Sequence, residues 1–187
     1  MNLILFGPPG AGKGTQAKYL VKKLSNYQIS TGDMLREEIQ KNTKIGKRIV
    51  NDMDDGKFVS DVIVNTLIEN VLFDSNKKNR LIFDGYPRSL AQAKNLETLL
   101  KKSNQKIDFI FFLNVNKETI LKRIEKRKTL EKRSDDDLNI FMRRYDTYME
   151  TTKPILDFYS KNPNFHEIDG SSKIDEITGK IDSFINV

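Results

Sequence analysis

The sequence predicts an α/β fold in which helices cover a five-stranded parallel sheet. Short apolar segments alternate along the chain with longer segments of helical periodicity. A glycine-rich turn at residues 7–15 separates the first apolar segment from the first helical one. The segment 107–115 is almost wholly apolar, which is typical of a strand buried on both faces.

The five strands are predicted, in chain order, at residues 3–6, 28–30, 80–84, 107–115 and 165–168. A helix over 16–24 follows the glycine-rich turn, and further helical segments separate the later strands. We expect right-handed connections between the strands. The loops that follow the strands should then gather at one edge of the sheet, where ligands bind in open parallel sheets.

Two regions contain more residues than this alternation needs. Residues 31–79 hold two or three predicted helices with an interruption at 54–57, and residues 127–133 form a charged connection. Ser134 and the aspartates after it predict the cap and acidic first turn of a helix that Pro154 kinks or ends. We therefore predict a core of residues 1–29, 60–125 and 137–187, an insertion of 30–59 and a short lid of 126–136.

Composition excludes several classes of protein. The 187 residues suffice for one compact core, and no apolar run is long enough to span a membrane. The absence of cysteine excludes disulfides and cysteine-ligated zinc. The single histidine, His166, lies in an alternating segment and is interpreted as a strand or surface residue. Because the chain starts directly with a strand and leaves no apolar surface stripe unassigned, we expect a cytoplasmic monomer.

The net charge of +6 comes mainly from lysine, with 23 lysines against nine arginines. Lysine evidently supplies general surface charge, so arginine is expected where a planar, bidentate donor is needed. Five arginines fall between residues 123 and 144, although a solvated helical face is the alternative explanation. No basic block with interleaved aromatic residues is present, which disfavours nucleic-acid binding.

The turn at residues 7–15, GPPGAGKGT, has the composition of a phosphate-binding loop. Its glycines allow backbone N–H groups to point inward, and the following helix N-terminus adds partial positive charge. Lys13 can reach the outer phosphates of a nucleoside triphosphate. Gly14 occupies the position of the usual hydroxyl residue, and Thr15 follows it. Asp84 ends the third strand, where an acidic residue assists Mg²⁺ in such proteins.

Together these residues resemble the adenylate kinases, nucleoside monophosphate kinases of the P-loop class. The motifs, in order over residues 1 to 160, are GPPGAGKGTQA at 7–17, STGDMLR at 30–36, KFVSD at 57–61, FDGYPRS at 83–89 and RSDD at 133–136. The resemblance implies a P-loop three-layer αβα fold and Mg²⁺-dependent transfer of a phosphoryl group from ATP to AMP, giving two ADP. Only five residues separate Arg127 from Arg133, which implies a short lid without zinc.

The resemblance also implies site residues. It places ATP on Gly10, Ala11, Gly12, Lys13, Gly14, Thr15, Arg123, Arg127 and Ser172. It places AMP on Thr31, Arg36, Lys57, Phe58, Val59, Gly85, Tyr86, Pro87, Arg88, Gln92, Arg133 and Arg144. The implied catalytic residues are Lys13, Arg88, Arg123, Arg133 and Arg144, with Asp84 holding Mg²⁺ through water. Arg143 is interpreted as a surface residue.

Three other functions are weighed against this one. A UMP/CMP kinase would share the fold and the phosphate contacts, but Thr31, Ser89 and Gln92 favour AMP. A switch GTPase needs an N-K-x-D motif, and the stretch 116–119 lacks the aspartate. A nucleic-acid-binding ATPase needs a basic groove with stacking aromatic side chains, which the sequence does not indicate.

Overall fold

A computed structural model describes residues 1–131 and 137–185, with only the helical backbone for 128–131. Its sheet has five parallel strands in the order β2-β3-β1-β4-β5. They are β1 (Leu3–Phe6), β2 (Tyr27–Ser30), β3 (Leu81–Asp84), β4 (Phe109–Asn114) and β5 (Phe165–Asp169). The predicted five-stranded parallel sheet is confirmed: the bounds of β1 are as predicted, and the ends of the other strands agree to within two residues.

The helices occupy the connections between the strands. They are α1 (Lys13–Leu24), α2 (Thr31–Gln40), α3 (Lys44–Asp54), α4 (Asp61–Leu72), α5 (Leu90–Lys102), α6 (Lys117–Glu131), α7 (Leu138–Thr147), α8 (Lys153–Tyr159) and α9 (Ile174–Ile185), with a 3₁₀ turn at Ser75–Lys77. None of the helices in the described ranges combines the length and the apolar content that crossing a membrane requires.

The sheet separates two apolar layers, as a three-layer αβα fold requires. Alternate residues of the central strand pack to opposite sides. Ile4 and Phe6 face the layer formed with α2, α4 and α5, whereas Leu3 and Leu5 face the layer formed with α1, α6 and α9. All four β1 side chains are buried, which explains the continuous apolar run in the sequence.

Several helix starts in the described ranges have a side-chain cap, whereas α1, α4 and α8 have none. The Ser30 and Ser89 hydroxyls accept from backbone N–H groups in the first turns of α2 and α5. The residue at the cap position of α1 is Gly12, which has φ of 96° and no side chain that could bond the first N–H groups of the helix. The first N–H groups of α1 therefore remain available to a ligand in the preceding loop.

In the α7 region the predicted cap needs correction, and of the two effects predicted for Pro154, a kink or an end, only the end does. Asp137, not Ser134, caps α7, because its extended backbone and its carboxylate bond to Asn139 N place the helix start at Leu138. Pro154, predicted to kink or end this helix, does not end the helical path, which runs from α7 through a π-helical turn at Tyr148–Thr152 into α8, and the interruption lies directly before the first turn of α8 that contains Pro154. A first-turn proline lacks only an N–H that has no helical partner there.

The region between β2 and β3 contains α2, α3 and α4, which confirms the prediction of two or three helices. The predicted interruption at 54–57 is also confirmed, because α3 ends at Asp54 and Gly56 follows with φ of 71°. The division of the chain into a core, an insertion of 30–59 and a lid remains a prediction. Within the lid range, 126–136, residues 132–136 lie outside the described residues.

Candidate active site

The loops that follow β1, β2 and β3 meet at the carboxyl edge of the sheet. β1 lies at the centre and pairs with β3 on one side and β4 on the other. Ser30 and Leu5 each pair in register with Asp84. The sheet therefore brings the glycine-rich loop, the start of α2 and the Asp84–Gly85 turn to one place.

The glycine-rich loop curls around the side chain of Lys13. Gly7, Gly10 and Gly12 have φ of 148°, 80° and 96°, a region that favours glycine. A Cβ on Gly7 would lie 2.8 Å from the Leu113 carbonyl oxygen, so the loop also needs glycine to approach β4. Lys13 Nζ donates to the carbonyl oxygens of Gly7 and Pro8 at 2.7 and 2.9 Å.

Several cations surround Lys13. The pKa of Lys13 is lowered to about 8, mainly by burial; Asp84 opposes this shift, and Arg88, Arg144 and Arg127 add to it. An excess of positive charge around a half-buried ammonium is an environment in which a polyanionic ligand is strongly favoured. The centre of this site is thus built for negative charge.

Arg88 is held by several contacts. Its Nε donates to the Gly85 carbonyl oxygen at 2.7 Å, and its guanidinium carbon lies 5.1 Å from the centre of the Phe58 ring. The Thr152 hydroxyl donates to the Arg88 carbonyl oxygen at 3.1 Å. Burial lowers the pKa of Arg88 to about 10, with Arg144 as the next cause.

The other predicted arginines come from different elements. Arg123 Nη1 donates to the Ala11 carbonyl oxygen at 3.2 Å, which places α6 against the loop. Arg36 pairs with Asp33 at 2.6 Å and lies near enough to Arg88 to influence its charge. Arg133 lies outside the described residues. Arg143 is exposed, in agreement with its interpretation as a surface residue.

Asp84 is the carboxylate at this edge. Gln28 Nε2 donates to its Oδ2 at 2.9 Å, and a Cβ on Gly14 would lie 3.6 Å from the same oxygen. Gly14, at the position where related loops carry a hydroxyl, is thus a neighbour of this carboxylate. One carboxylate beside a phosphate-binding loop fits Mg²⁺, which commonly uses one or two carboxylates together with water and substrate phosphates.

A cleft runs from the loop towards Phe58 and α7. It is lined by Leu5, Phe6, Gly7, Pro9, Lys13, Phe58, Gly85, Pro87, Arg88, Arg144, Tyr148 and Thr152. Thr31 Oγ1 donates to the Gly85 carbonyl oxygen at 2.8 Å and so holds the start of α2 to the turn after β3. The Tyr86–Pro87 peptide bond in this turn is cis.

Some predicted site residues have side chains that are engaged elsewhere. Gln92 is 3% exposed, with its amide between Arg88 N and Asp61. The Tyr86 ring is in the core and its hydroxyl donates to Asn65 Oδ1. Lys57 pairs with Asp55, and Val59 is buried.

Ser172 lies beyond β5, where its hydroxyl donates to Asp169. Any contact of Val59 or Tyr86 with a ligand would come from the backbone, because both side chains are buried.

The sequence alone assigned no role to Gln28, which contacts Asp84, or to Asp61, which contacts Gln92. Gln28 carries a weak signal, since a polar side chain within a strand that neighbours β3 requires a partner. The hydrogen bond that Asp61 accepts from Gln92 joins residues 31 positions apart, and no spacing rule indicates it.

Comparison with known proteins identifies the family. A family model described as Adenylate kinase matches residues 5–164. An adenylate kinase of Pelagibacter ubique is 49% identical over 213 aligned positions that cover both chains completely. An adenylate kinase of Caulobacter sp. is 41% identical over 187 positions that cover this chain and 99% of the relative. One of Mycoplasma mycoides is 43% identical and covers 90% of this chain and 91% of the relative.

The chain belongs to the adenylate kinase family. It is therefore a nucleoside monophosphate kinase, a phosphotransferase, with the predicted P-loop αβα fold. The comparisons support the predicted adenylate kinase function and do not support the UMP/CMP kinase alternative.

Proposed function

We propose that the enzyme transfers the γ-phosphoryl group of ATP to AMP across the gap between Lys13 and Arg88. The observation that carries this proposal is the convergence of Lys13, Arg88 and Arg144 on one cleft beside Asp84. Two anionic nucleotides repel each other, so a site that joins them must supply several fixed cations. Phosphoryl transfer itself depends mainly on positioning and on electrostatic stabilisation.

On the donor side, the triphosphate lies in the loop formed by residues 10–15. The N–H groups at the start of α1 and the ammonium of Lys13 hold its charge. Arg123, already bonded to the loop at Ala11, and Arg127 neutralise the outer phosphates. Ser172 contributes a backbone contact to the adenine.

On the acceptor side, Arg36 and Arg88 hold the phosphate of AMP. Phe58, Pro87 and Gly85 line the cleft beside them and frame the nucleoside together with Thr31 and the backbone of Lys57, Val59 and Tyr86. Gln92 serves this side through its bond to the Arg88 backbone. Arg144, and Arg133 by resemblance, neutralise the group in transfer. These contacts position the AMP phosphate in line with the donor.

Asp84 would hold Mg²⁺ through water, with Gln28 fixing the carboxylate. The ion supplies charge neutralisation on the donor phosphates when it is bound. The protein's own part is to orient Asp84 and to keep water away from the transferred group. We also propose that the enzyme is a cytoplasmic monomer that acts on free nucleotides and binds neither nucleic acid nor membranes. Sedimentation would test the monomeric state.

A panel of nucleoside monophosphates tests the proposal. With Mg-ATP as donor, turnover of AMP, CMP, UMP and GMP is measured in a coupled assay with and without a chelator. We expect AMP to be strongly preferred and transfer to be nearly abolished by the chelator. Faster turnover of CMP than of AMP, or full activity in chelator, would contradict the assignment.

A further inference from the structure

Asp61, the first residue of α4, connects two walls of the cleft. Its Oδ1 accepts from Gln92 Nε2 at 2.6 Å, and its Oδ2 accepts from Ser89 Oγ at 2.8 Å. The residues just before it, 57–59, form the wall that carries Phe58. Both carboxylate oxygens are thus bonded to the segment that directly follows Arg88 on the opposite wall.

The carboxylate dictates how the Gln92 amide is oriented. An ionised carboxylate only accepts hydrogen bonds, so the NH₂ group of Gln92 must face Asp61. The amide oxygen must then face the other way, where it accepts from the Arg88 backbone N–H at 2.7 Å. Because Gln92 is 3% exposed, water cannot readily replace either partner.

Arg88 is consequently held at three points. Its N–H donates to Gln92, its carbonyl oxygen accepts from Thr152, and its Nε donates to the Gly85 carbonyl oxygen. Of these three bonds, only the bond to Gln92 depends on a side chain whose orientation is set by another side chain, that of Asp61. Removal of the Asp61 carboxylate would free the Gln92 amide to rotate and would release the backbone of Arg88.

We propose that Asp61 is a positioning residue for the acceptor nucleotide, acting through Gln92 on Arg88. The proposal rests on the proposed function, which places the AMP phosphate on Arg88. Asp61 contacts neither the cleft nor the glycine-rich loop among the contacts described. Its effect should therefore fall on AMP and leave ATP nearly untouched.

Three variants separate this role from general stability and charge. Asp61→Ala removes both acceptors, and we expect the KM for AMP to rise by about tenfold, kcat to fall several-fold, and the KM for ATP to change by less than about twofold. Asp61→Asn keeps an oxygen for Gln92 and can donate to Ser89, so it should restore the KM for AMP to within about threefold of the wild type.

Glu69→Ala, which removes a negative charge from an exposed position on α4, should leave all three constants unchanged. If Asp61→Ala does not fold, Asp61→Glu keeps the charge at the helix start and displaces the carboxylate. We expect that variant to raise the KM for AMP at least about threefold. An unchanged KM for AMP in a folded Asp61→Ala or Asp61→Glu protein would overturn the proposal.

A double-mutant cycle tests the route through Gln92. Once Gln92→Ala has removed the amide, Asp61→Ala should raise the KM for AMP by less than about twofold more. If the two substitutions instead raise the KM for AMP by independent factors that multiply in full, Asp61 acts by another route and the proposal is overturned.

NMR of the Gln92 side-chain NH₂ group gives a readout that does not depend on activity. Its proton signals should move and exchange faster with water in Asp61→Ala, and should stay close to wild type in Glu69→Ala. Signals unchanged by Asp61→Ala would overturn the positioning role. A wild-type enzyme that shows the signals but fails to phosphorylate AMP would instead overturn the proposed function.

Discussion

At the scale of single residues, the charge of Lys13 connects nucleotide binding to pH. Burial lowers its pKa from 10.5 to about 8, whereas a bound triphosphate would stabilise the ammonium and raise that pKa. Nucleotide binding at pH 9 should therefore be accompanied by the uptake of about one proton at Lys13, and binding at pH 7 by a much smaller uptake at this group. Calorimetry in two buffers of different ionisation enthalpy measures the number of protons.

A Lys13→Met variant provides the control, because the proton uptake at pH 9 should disappear with the amine. The same shift also affects folding. Between pH 8 and 10.5 the folded state binds fewer protons at Lys13 than the unfolded state, so this group makes stability rise with pH there. Equal proton uptake by the wild type and Lys13→Met at pH 9 would contradict the lowered pKa.

Arg88 contributes both a positive charge and a planar group of hydrogen-bond donors, and substitution by lysine separates these two contributions. Arg88→Lys keeps the positive charge but loses the planar donor that bonds Gly85 through Nε and presents its remaining N–H groups to the cleft. We expect kcat to fall by about 100-fold, equivalent to roughly 3 kcal/mol of lost transition-state stabilisation. Steady-state assays at saturating ATP and AMP measure this change.

Arg48→Lys is a matched control, because Arg48 is exposed on α3. We expect that variant to keep the wild-type rate. A near-normal kcat for Arg88→Lys would contradict the role given to the guanidinium, since charge alone would then be sufficient.

At the scale of elements, the parts that the sequence predicts are those set by local rules. The strands follow from apolar runs such as 3–6, and the break before Gly56 follows from turn-forming residues. The α7 start could not be fixed, because Ser134 and the three aspartates after it are all good caps and the sequence does not rank them. The bonds of Asp61 and Gln28 depend on how separate elements meet, which a local pattern does not contain.

The crossing of α2 and α3 depends on one glycine. A Cβ on Gly46 would lie 2.8 Å from Ile39 Cα and still closer to the Glu38 carbonyl oxygen. Because both neighbours are backbone, Gly46→Ala requires the helices to separate, and we expect it to lower the free energy of unfolding by about 1–3 kcal/mol. Urea denaturation followed by circular dichroism measures the difference.

Gly179→Ala is the opposite case on α9, where an added Cβ meets nothing within 4 Å. We expect this variant to raise the free energy of unfolding by about 0.5–1 kcal/mol, because alanine favours the helix. Similar effects of the two substitutions would show that helix propensity, and not the close crossing, determines the response at Gly46.

At the scale of the whole molecule, residues 30–59 contact both sides of the cleft. A Cβ on Gly56 would lie 3.0 Å from Ile140 Cγ2 and 3.2 Å from Arg144 Cγ, so this segment packs against α7. Phe58 in the same segment stacks near the Arg88 guanidinium. One wall of the cleft is thus formed by a segment that meets both α7 and the β3–α5 turn.

We predict that residues 30–59 move relative to the core when nucleotides bind. A phosphoryl group must be shielded from water during transfer, yet the nucleotides must enter and leave, so the cover has to open and close. The chain has no cysteine, so spin labels can be placed uniquely through Lys47→Cys on α3 and Lys101→Cys on α5, which are both exposed.

A bisubstrate inhibitor should shorten this distance by several ångströms and narrow its distribution, because it bridges both nucleotide sites. A second pair at Lys101→Cys and Lys180→Cys lies within the core and should not change. Distances that stay the same in both pairs would contradict the motion. A change in both would indicate a general loosening of the protein, because closure of one segment cannot alter the spacing between α5 and α9.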